Sequence, residues 1–248
     1  VVVDIPKDIT EDKCEFVYPE KVSMRSYNPS VQINDKDIDL AVEKILKAKK
    51  PVIYAGGGVI NSNASDELTK LAKYLNFPVT NTLMGLGCFP GSDPQFLQML
   101  GMHGSYEANM AMHDCDLLIA VGARFDDRIT GRLDKFSPNA TVVHIDVDPS
   151  SISKNIKAHI PINGDVKDCI NKIIKKTMDK KLKPMNLDSW WEQINEWRKK
   201  DSFKYIQEKD IIKPQYVVDR LYEITKGDAF ITSDVGQHQM WAAQLYKF

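Results

Sequence analysis

The 248-residue sequence predicts a doubly wound, mostly parallel, Rossmann-like α/β sheet over residues 35–178. Two observations lead to this prediction. Short apolar segments alternate with helical patterns of roughly 10–15 residues, as they do in βαβ units. In addition, the segment 117–121 is apolar throughout, which is typical of a parallel strand that is buried on both faces.

Each element of this domain follows from its own residue pattern. Apolar residues recur three or four positions apart in the helical segments, whereas the strands are short apolar runs bounded by Gly, Pro, Asn or Asp. The predicted strands are 51–55, 78–82, 116–121, 141–147 and 160–163. The predicted helices are 35–49, 64–75, 104–112, 150–156 and 166–178, with a Gly- and Pro-rich loop over 85–94.

The segments outside this domain predict pieces of further units. The chain opens on an apolar run that resembles a strand, and it closes soon after a second strand signal at 229–232. We therefore expect a piece of a longer protein. Ser189 and Glu192 have the spacing of a capping box that would open a helix. The predicted division is the end of a preceding domain (1–9), a linker (10–34), the central domain (35–178), a linker with a helix (179–212) and the start of another α/β domain (213–248).

Composition excludes several classes of partner. The chain has 33 Lys and Arg against 34 Asp and Glu, a net charge of −1, so it has no electrostatic footprint for nucleic acid or an anionic membrane. The longest apolar run, 117–123, is far shorter than the roughly 20 residues of a membrane span. The four cysteines are widely spaced and are predicted to be reduced thiols.

The residues just after each strand form the candidate site, because parallel α/β sheets bind ligands beyond the carboxyl ends of their strands. Gly56, Gly57 and Gly58 fit the start of a dinucleotide-binding turn, although Asn61 stands where the last Gly or Ala belongs. Such a turn without any ligand is an equally good interpretation. The next strand ends without a carboxylate, which disfavours an NAD dehydrogenase.

Charged residues follow the later strands. Arginine suits a diphosphate because its planar fork donates two hydrogen bonds, and a carboxylate at a strand end suits sugar hydroxyls. Arg124, Arg128 and Asp146 therefore predict a large dinucleotide that lies across the sheet. The alternative is a surface ion-pair cluster of these arginines with Asp126 or Asp127, but exposed pairs contribute only ~0–1 kcal/mol.

Three further features have competing interpretations. His103 precedes a predicted helix and suits contact with a ring system, although a lone histidine is more often structural. The tryptophans at 190, 191 and 197 form either a ligand platform or, more simply, a packing contact. His113 and Cys115 flank Asp114 but have no further partners at the spacing of a zinc site, so no metal site is predicted.

Several motifs together carry a family resemblance. The runs are LGMHGSYEANM (100–110), VGARFDDRITG (121–131), VHIDVDP (143–149), NGD (163–165) and SDVGQHQMWAAQ (233–244). With the opening VVVDIPKD, they resemble the large catalytic subunits of acetohydroxyacid synthases, also called acetolactate synthases, which are thiamine diphosphate-dependent enzymes.

The resemblance implies a function for the whole protein. Such enzymes condense two pyruvates, or pyruvate and 2-oxobutanoate, with release of CO₂ in branched-chain amino-acid biosynthesis. They use thiamine diphosphate and Mg²⁺, together with an FAD that does no net redox work. The resemblance also implies a homodimer or homotetramer with a small regulatory subunit, and no nucleic-acid or membrane partner. Residues 1–9 would end the pyrimidine-binding domain, and 213–248 would begin the diphosphate-binding domain.

The resemblance also implies site residues. The positions that match FAD contacts are Gly56, Gly57, Gly58, Thr82, Leu83, His103, Gly104, Gly122, Ala123, Arg124, Asp126, Arg128, Asp146, Val147, Ser151, Gly164 and Asp165. Arg128 also matches a residue that recognises the carboxylate of the second 2-oxo acid. Gln237 and His238 match contacts to thiamine diphosphate.

The activating glutamate and the Mg²⁺-binding element of these enzymes match no residue of this chain. We therefore expect no catalytic residue and no metal ligand here, and a chain that is inactive alone. Two alternatives stay open: a non-catalytic flavin- or nucleotide-binding electron-transfer domain, and another thiamine diphosphate carboligase such as glyoxylate carboligase.

Overall fold

The computed structural model of the chain describes residues 4–21, 32–180 and 185–248, and it divides the chain into two units, 1–30 and 31–248. In the first unit, helix α1 (Lys7–Glu11) is exposed and residues 4–6 belong to no strand. The strand expected at the start of the chain is therefore not formed at 4–6, and its first three residues lie outside the described part.

The second unit holds the predicted sheet and its helices. Its strands are β1 (Pro51–Ala55), β2 (Val79–Asn81), β3 (Phe96–Met99), β4 (Leu117–Val121), β5 (Thr141–Asp146) and β6 (Ile160–Asn163). Its described α-helices are α2 (Asp35–Ile45), α3 (Gly57–Asn61), α4 (Ser65–Leu75), α5 (Tyr106–Asp114), α6 (Asp127–Thr130), α7 (Val166–Asp179), α8 (Asp188–Arg198), α9 (Pro214–Thr225) and α10 (Gln237–Leu245).

The six strands form one parallel sheet in the order β3-β2-β1-β4-β5-β6. This is the strand order of a doubly wound Rossmann-type fold, so the predicted fold class is confirmed. The order reverses between β1 and β4, and Ala55 at the end of β1 pairs in register with Val121 at the end of β4. The switch point, where such folds bind ligands, therefore lies beyond these two residues.

The core lies on both faces of the sheet. Every residue of β1 and β4 is buried, as expected for central parallel strands. Helix α7 packs against α2 and α4, and α5 packs against α8. Helix α7 is capped by Asp165, whose side chain accepts hydrogen bonds from the backbone N–H groups of Lys167 and Asp168. Asp165 thus has a structural role as a helix cap.

Further elements of the second unit differ from the sequence prediction. Strand β3 was missed because it is a short edge strand whose backbone is interrupted at Gln98, where φ is +67°. The helix expected at 150–156 is a series of turns, since Asp148 accepts local hydrogen bonds from Ser150 and Ser151 that compete with a helix. The strand expected at 229–232 is not formed, and Phe230 there is fully exposed.

Helix α8 contacts the central domain through its tryptophans. Trp190 is buried, its indole N–H donates to the Pro51 carbonyl (3.0 Å), and its ring meets Trp197 edge-on. Trp191 donates to the Asn76 carbonyl (3.0 Å). The packing interpretation of these tryptophans is confirmed. The predicted capping box is wrong, because the helix begins before Ser189, at Asp188, and has no side-chain cap.

None of the helices within the described ranges is both long and apolar enough to cross a membrane.

Candidate functional site

The loops that follow the strands are joined at one edge of the sheet. Backbone hydrogen bonds link each loop to its neighbour: Thr82 N to Ala55 O (2.9 Å), Gly56 N to Val121 O (3.0 Å), Gly58 N to Gly122 O (3.0 Å), Gly122 N to Ile145 O (2.8 Å) and Gly164 N to Asp146 O (3.1 Å). The structure therefore brings the predicted residues after β1, β2, β4, β5 and β6 together on a single rim.

The glycines at the switch point allow two loops to touch. A Cβ atom on Gly58 would lie 2.6 Å from the Gly122 Cα atom, and one on Gly56 would lie 2.3 Å from the Gly122 carbonyl oxygen. Gly122 also has a φ of +55°, which favours glycine. At Gly104, a Cβ atom would overlap the backbone of Leu100. These close contacts explain the glycines without a ligand, and their cofactor role stays a prediction.

Arg124 and Asp126 point outward from the loop after β4. The Arg124 Nη2 atom lies 3.0 Å from Asp126 Oδ2, with 71% and 52% of the two side chains exposed. The surface ion pair considered as the alternative is thus present. Between them, Phe125 is 3% exposed and packs against Tyr54 and His144. Because this pair is so exposed, its guanidinium group remains accessible to an anion.

Arg128 and the loop after β3 meet at the same rim. The Met102 backbone N–H donates to the Arg128 carbonyl (3.0 Å), and Arg128 Nη1 lies 3.9 Å from the Met102 sulfur atom. His103 is exposed, and its carbonyl oxygen accepts from Gln244 in α10 (2.9 Å). The structure therefore places His103 beside the loop of Arg128.

The end of β5 presents a carboxylate and a hydroxyl group. Asp146 is 9% exposed and accepts from the Asp148 N–H through Oδ1 (2.9 Å), whereas Val147 is exposed. Ser151 lines a small cavity of about 30 Å³ together with Arg124 and Asp126. Lys154 also lines it, and sequence analysis did not identify this residue because the prediction for 150–156 is a helix.

Three buried polar atoms in or beside this rim have no hydrogen-bond partner among the described residues. They are Asn81 Oδ1 at the end of β2, Thr82 Oγ1 directly after it, and His144 Nδ1 within β5. The other ring nitrogen of His144, Nε2, lies 3.0 Å from the Ala123 carbonyl oxygen, so Nε2 carries the proton of the neutral ring. Burial lowers the pKa of His144, and the hydrogen bond to Ala123 and the charge of Asp146 oppose that shift.

Gln237 and His238 lie elsewhere in the fold. They are exposed in the first turn of α10, whose last turn carries the Gln244 contact to His103. Helices α9 and α10 are joined by the hydrogen bond between Thr225 Oγ1 and Tyr246 Oη (2.7 Å).

Comparison with known sequences decides the family. The family model described as the central domain of thiamine pyrophosphate enzymes matches residues 38–173, more than half of the chain. The chain belongs to this family. The match covers β1 to β6 and most of α7, so the rim described above is part of a thiamine pyrophosphate enzyme central domain.

Several relatives match the whole chain. It is 50% identical to the acetolactate synthase large subunit of Buchnera aphidicola from Schizaphis graminum and 49% identical to the acetolactate synthase isozyme 3 large subunit of Escherichia coli. It is 43% identical to the acetolactate synthase of Mycobacterium leprae. The chain spans 44%, 44% and 40% of these relatives, which is less than half of their length.

The contact between the two glycine loops can be tested by adding one methyl group. We expect Gly58→Ala to lower the free energy of unfolding by about 1–3 kcal/mol, because its Cβ atom has no space beside Gly122. Gly57→Ala is the matched control, since its Cβ atom would lie at 3.2 Å from the Met84 carbonyl oxygen and needs a smaller adjustment. Urea denaturation of both variants measures the difference. Equal losses would contradict the assigned contact.

The buried His144 predicts a pH dependence of stability. In the unfolded chain this histidine takes up a proton near its ordinary pKa of 6.5, whereas burial lowers that pKa in the folded protein. The unfolded state therefore binds more protons as the pH falls below 6.5, and the free energy of unfolding decreases. His144→Gln keeps an N–H donor but does not titrate, so its stability should decrease less between pH 6.5 and about pH 5. Parallel stability curves for the two proteins would contradict this role.

Proposed function

We propose that this chain is the central part of an acetolactate synthase large subunit and that its strand-end rim binds FAD. The observation that carries the proposal is 49–50% identity over the whole chain to acetolactate synthase large subunits from Buchnera and Escherichia coli. The proposed reaction joins two pyruvates, or pyruvate and 2-oxobutanoate, with loss of CO₂. The full-length protein would assemble as a homodimer or homotetramer and bind a small regulatory subunit.

The chemistry of the rim fits a flavin dinucleotide. Arg124 presents an exposed guanidinium group for a diphosphate, and the carboxylate of Asp146 suits a sugar hydroxyl at the end of β5. Thr82 Oγ1 offers a buried polar atom that the described residues leave unsatisfied. The proposed FAD contacts are otherwise those that the family resemblance implies, from Gly56 to Asp165.

The chain's own residues would bind and orient rather than transfer protons or electrons. Arg128 is exposed beside Met102, so its guanidinium fork is available for the carboxylate of a 2-oxo acid. Gln237 and His238 would contact thiamine diphosphate. That cofactor, held with Mg²⁺ by other parts of the full-length protein, would supply the decarboxylation chemistry.

The flavin site is tested by comparing two exposed arginines, each of which pairs with an aspartate two residues later. Arg124→Ala should weaken FAD binding roughly 10–100-fold, which corresponds to a lost charge-assisted hydrogen bond of about 1.5–3 kcal/mol. Arg132 is the control, because it pairs with Asp134 two residues later and is 75% exposed, but belongs to none of the proposed contacts. Quenching of flavin fluorescence during titration of the full-length protein gives the dissociation constants. If the two alanine variants bound FAD equally, Arg124 would not hold the flavin.

The reaction itself is tested on the full-length protein. With pyruvate, thiamine diphosphate, Mg²⁺ and FAD, we expect acetolactate to form. We expect Arg128→Ala to raise the KM for the second 2-oxo acid by a larger factor than it lowers the rate of the first step, the decarboxylation of pyruvate. Absence of acetolactate while thiamine diphosphate and FAD are both bound would overturn the assignment. A flavin that a partner reduces and reoxidises rapidly would instead indicate an electron-transfer domain, and condensation of glyoxylate would indicate another carboligase.

A further inference from the structure

The loop that carries Arg124 is held by three side chains from other parts of the fold. Three consecutive carbonyl oxygens of this loop each lie within hydrogen-bond distance of one of them: Ala123 O with His144 Nε2 (3.0 Å), Arg124 O with Tyr54 Oη (2.8 Å) and Phe125 O with Asn155 Nδ2 (2.6 Å). Tyr54 belongs to β1, His144 to β5 and Asn155 to the turns after β5. Neighbouring elements on both sides thus fix the backbone of 123–125.

Two of these donors are completely buried. Tyr54 and His144 are 0% exposed, and a buried donor that loses its acceptor leaves a polar group unsatisfied at a cost in free energy. Burial also raises the pKa of the Tyr54 hydroxyl group, so it remains a proton donor. These hydrogen bonds therefore hold the loop more strongly than contacts in water would.

The same two rings also contact the side chain of the loop. The Phe125 ring centroid lies 5.5 Å from that of Tyr54 and 5.1 Å from that of His144. Phe125 therefore stays in the core while Arg124 and Asp126, its neighbours in sequence, remain exposed. The direction of the charged side chains follows from how the backbone between them is held.

We propose that Tyr54, His144 and Asn155 are positioning residues, which we call the carbonyl clamp, that fix residues 123–125 so that Arg124 is preorganised for the diphosphate of a dinucleotide. A fixed loop loses less conformational freedom when a ligand binds, and this increases affinity. The consequence for flavin affinity rests on the proposed function. The effect on the loop itself does not.

The loop is tested first, without any ligand. Trypsin cleaves after arginine, and the carbonyl of the Arg124–Phe125 bond is the one that Tyr54 contacts. In the full-length protein stripped of flavin, we expect Tyr54→Phe to accelerate cleavage at this bond about tenfold, as expected when a hydrogen bond that opposes local opening is lost. Mass spectrometry of the fragments identifies the bond that is cut.

Thr80→Val is the matched control for the loss of a buried hydrogen bond. Thr80 is 0% exposed, and its hydroxyl donates to the Gln98 carbonyl (2.7 Å) outside the clamp. This variant should lose a similar free energy of unfolding but leave cleavage after Arg124 unchanged. If Tyr54→Phe and Thr80→Val gave the same cleavage rate, the proposed clamp would be wrong.

Flavin affinity then tests what the clamp positions. We expect Tyr54→Phe to weaken FAD binding about 2–10-fold, and to have no further effect in an Arg124→Ala background, because both changes act on the same contact. His144→Leu should behave like Tyr54→Phe, whereas His144→Gln should restore binding through its N–H donor. Asn155→Ala gives an independent measurement if a histidine variant does not fold.

The outcomes separate the clamp from the proposed function. If the unmodified protein binds no FAD, the flavin proposal fails, and the cleavage rates still decide whether the clamp fixes the loop. If FAD binds but Tyr54→Phe weakens it equally with and without Arg124, the clamp does not act through Arg124. If His144→Gln binds FAD as poorly as His144→Leu, the hydrogen bond to Ala123 is not what positions the loop.

Discussion

The arrangement of the whole rim depends on the backbone contact between the loops after β1 and β4. These strands lie side by side at the switch point, where Gly56 donates to the carbonyl oxygen of Val121 at the end of β4 and Gly58 donates to that of Gly122 just after it. A side chain at Gly58 would meet the Gly122 Cα atom at 2.6 Å, so the two loops pack with no atoms between them. This contact fixes the point at which the chain leaves β4, and therefore the position of Arg124, two residues after Gly122.

Beyond that contact, the rim combines a rigid base with exposed charges. The base is made of fully buried residues, Tyr54 and His144, around the Phe125 ring. The charges above it form an exposed ion pair, and such pairs contribute only ~0–1 kcal/mol to folding. Stability therefore explains the base but not the identity of the charged side chains. The proposed diphosphate ligand would explain them, because an arginine on a rigid support can bind a diphosphate without first being ordered.

The sequence predicted those parts of the molecule that local patterns determine. β1 was predicted with its observed bounds, since buried parallel strands are continuous apolar runs between turn residues. β6 was also predicted with its observed bounds, although it is an edge strand in which only Ile160 and Ile162 are buried. β3 was missed because Gln98 interrupts its apolar run and has a φ of +67°. As an edge strand, β3 pairs only with β2. The turns at 150–156 were predicted as a helix because the pattern does not show that the Asp148 side chain bonds to Ser150 and Ser151. The position of the rim followed from parallel strand order, but Tyr54 and His144 were not identified, because their partners are 70 and 21 residues away in sequence.

The balance of charge at the rim limits how a dinucleotide can bind. Asp126 already accepts a hydrogen bond from Arg124, and a diphosphate must share or replace that acceptor. Asp146 adds a further carboxylate, so the local field is not strongly positive unless Lys154 and Arg128 also contribute. Binding by charge attraction alone would then be weak and sensitive to salt. A ligand held here must gain most of its affinity from hydrogen bonds whose geometry is set before it arrives, and the buried donors beneath residues 123–125 provide that geometry.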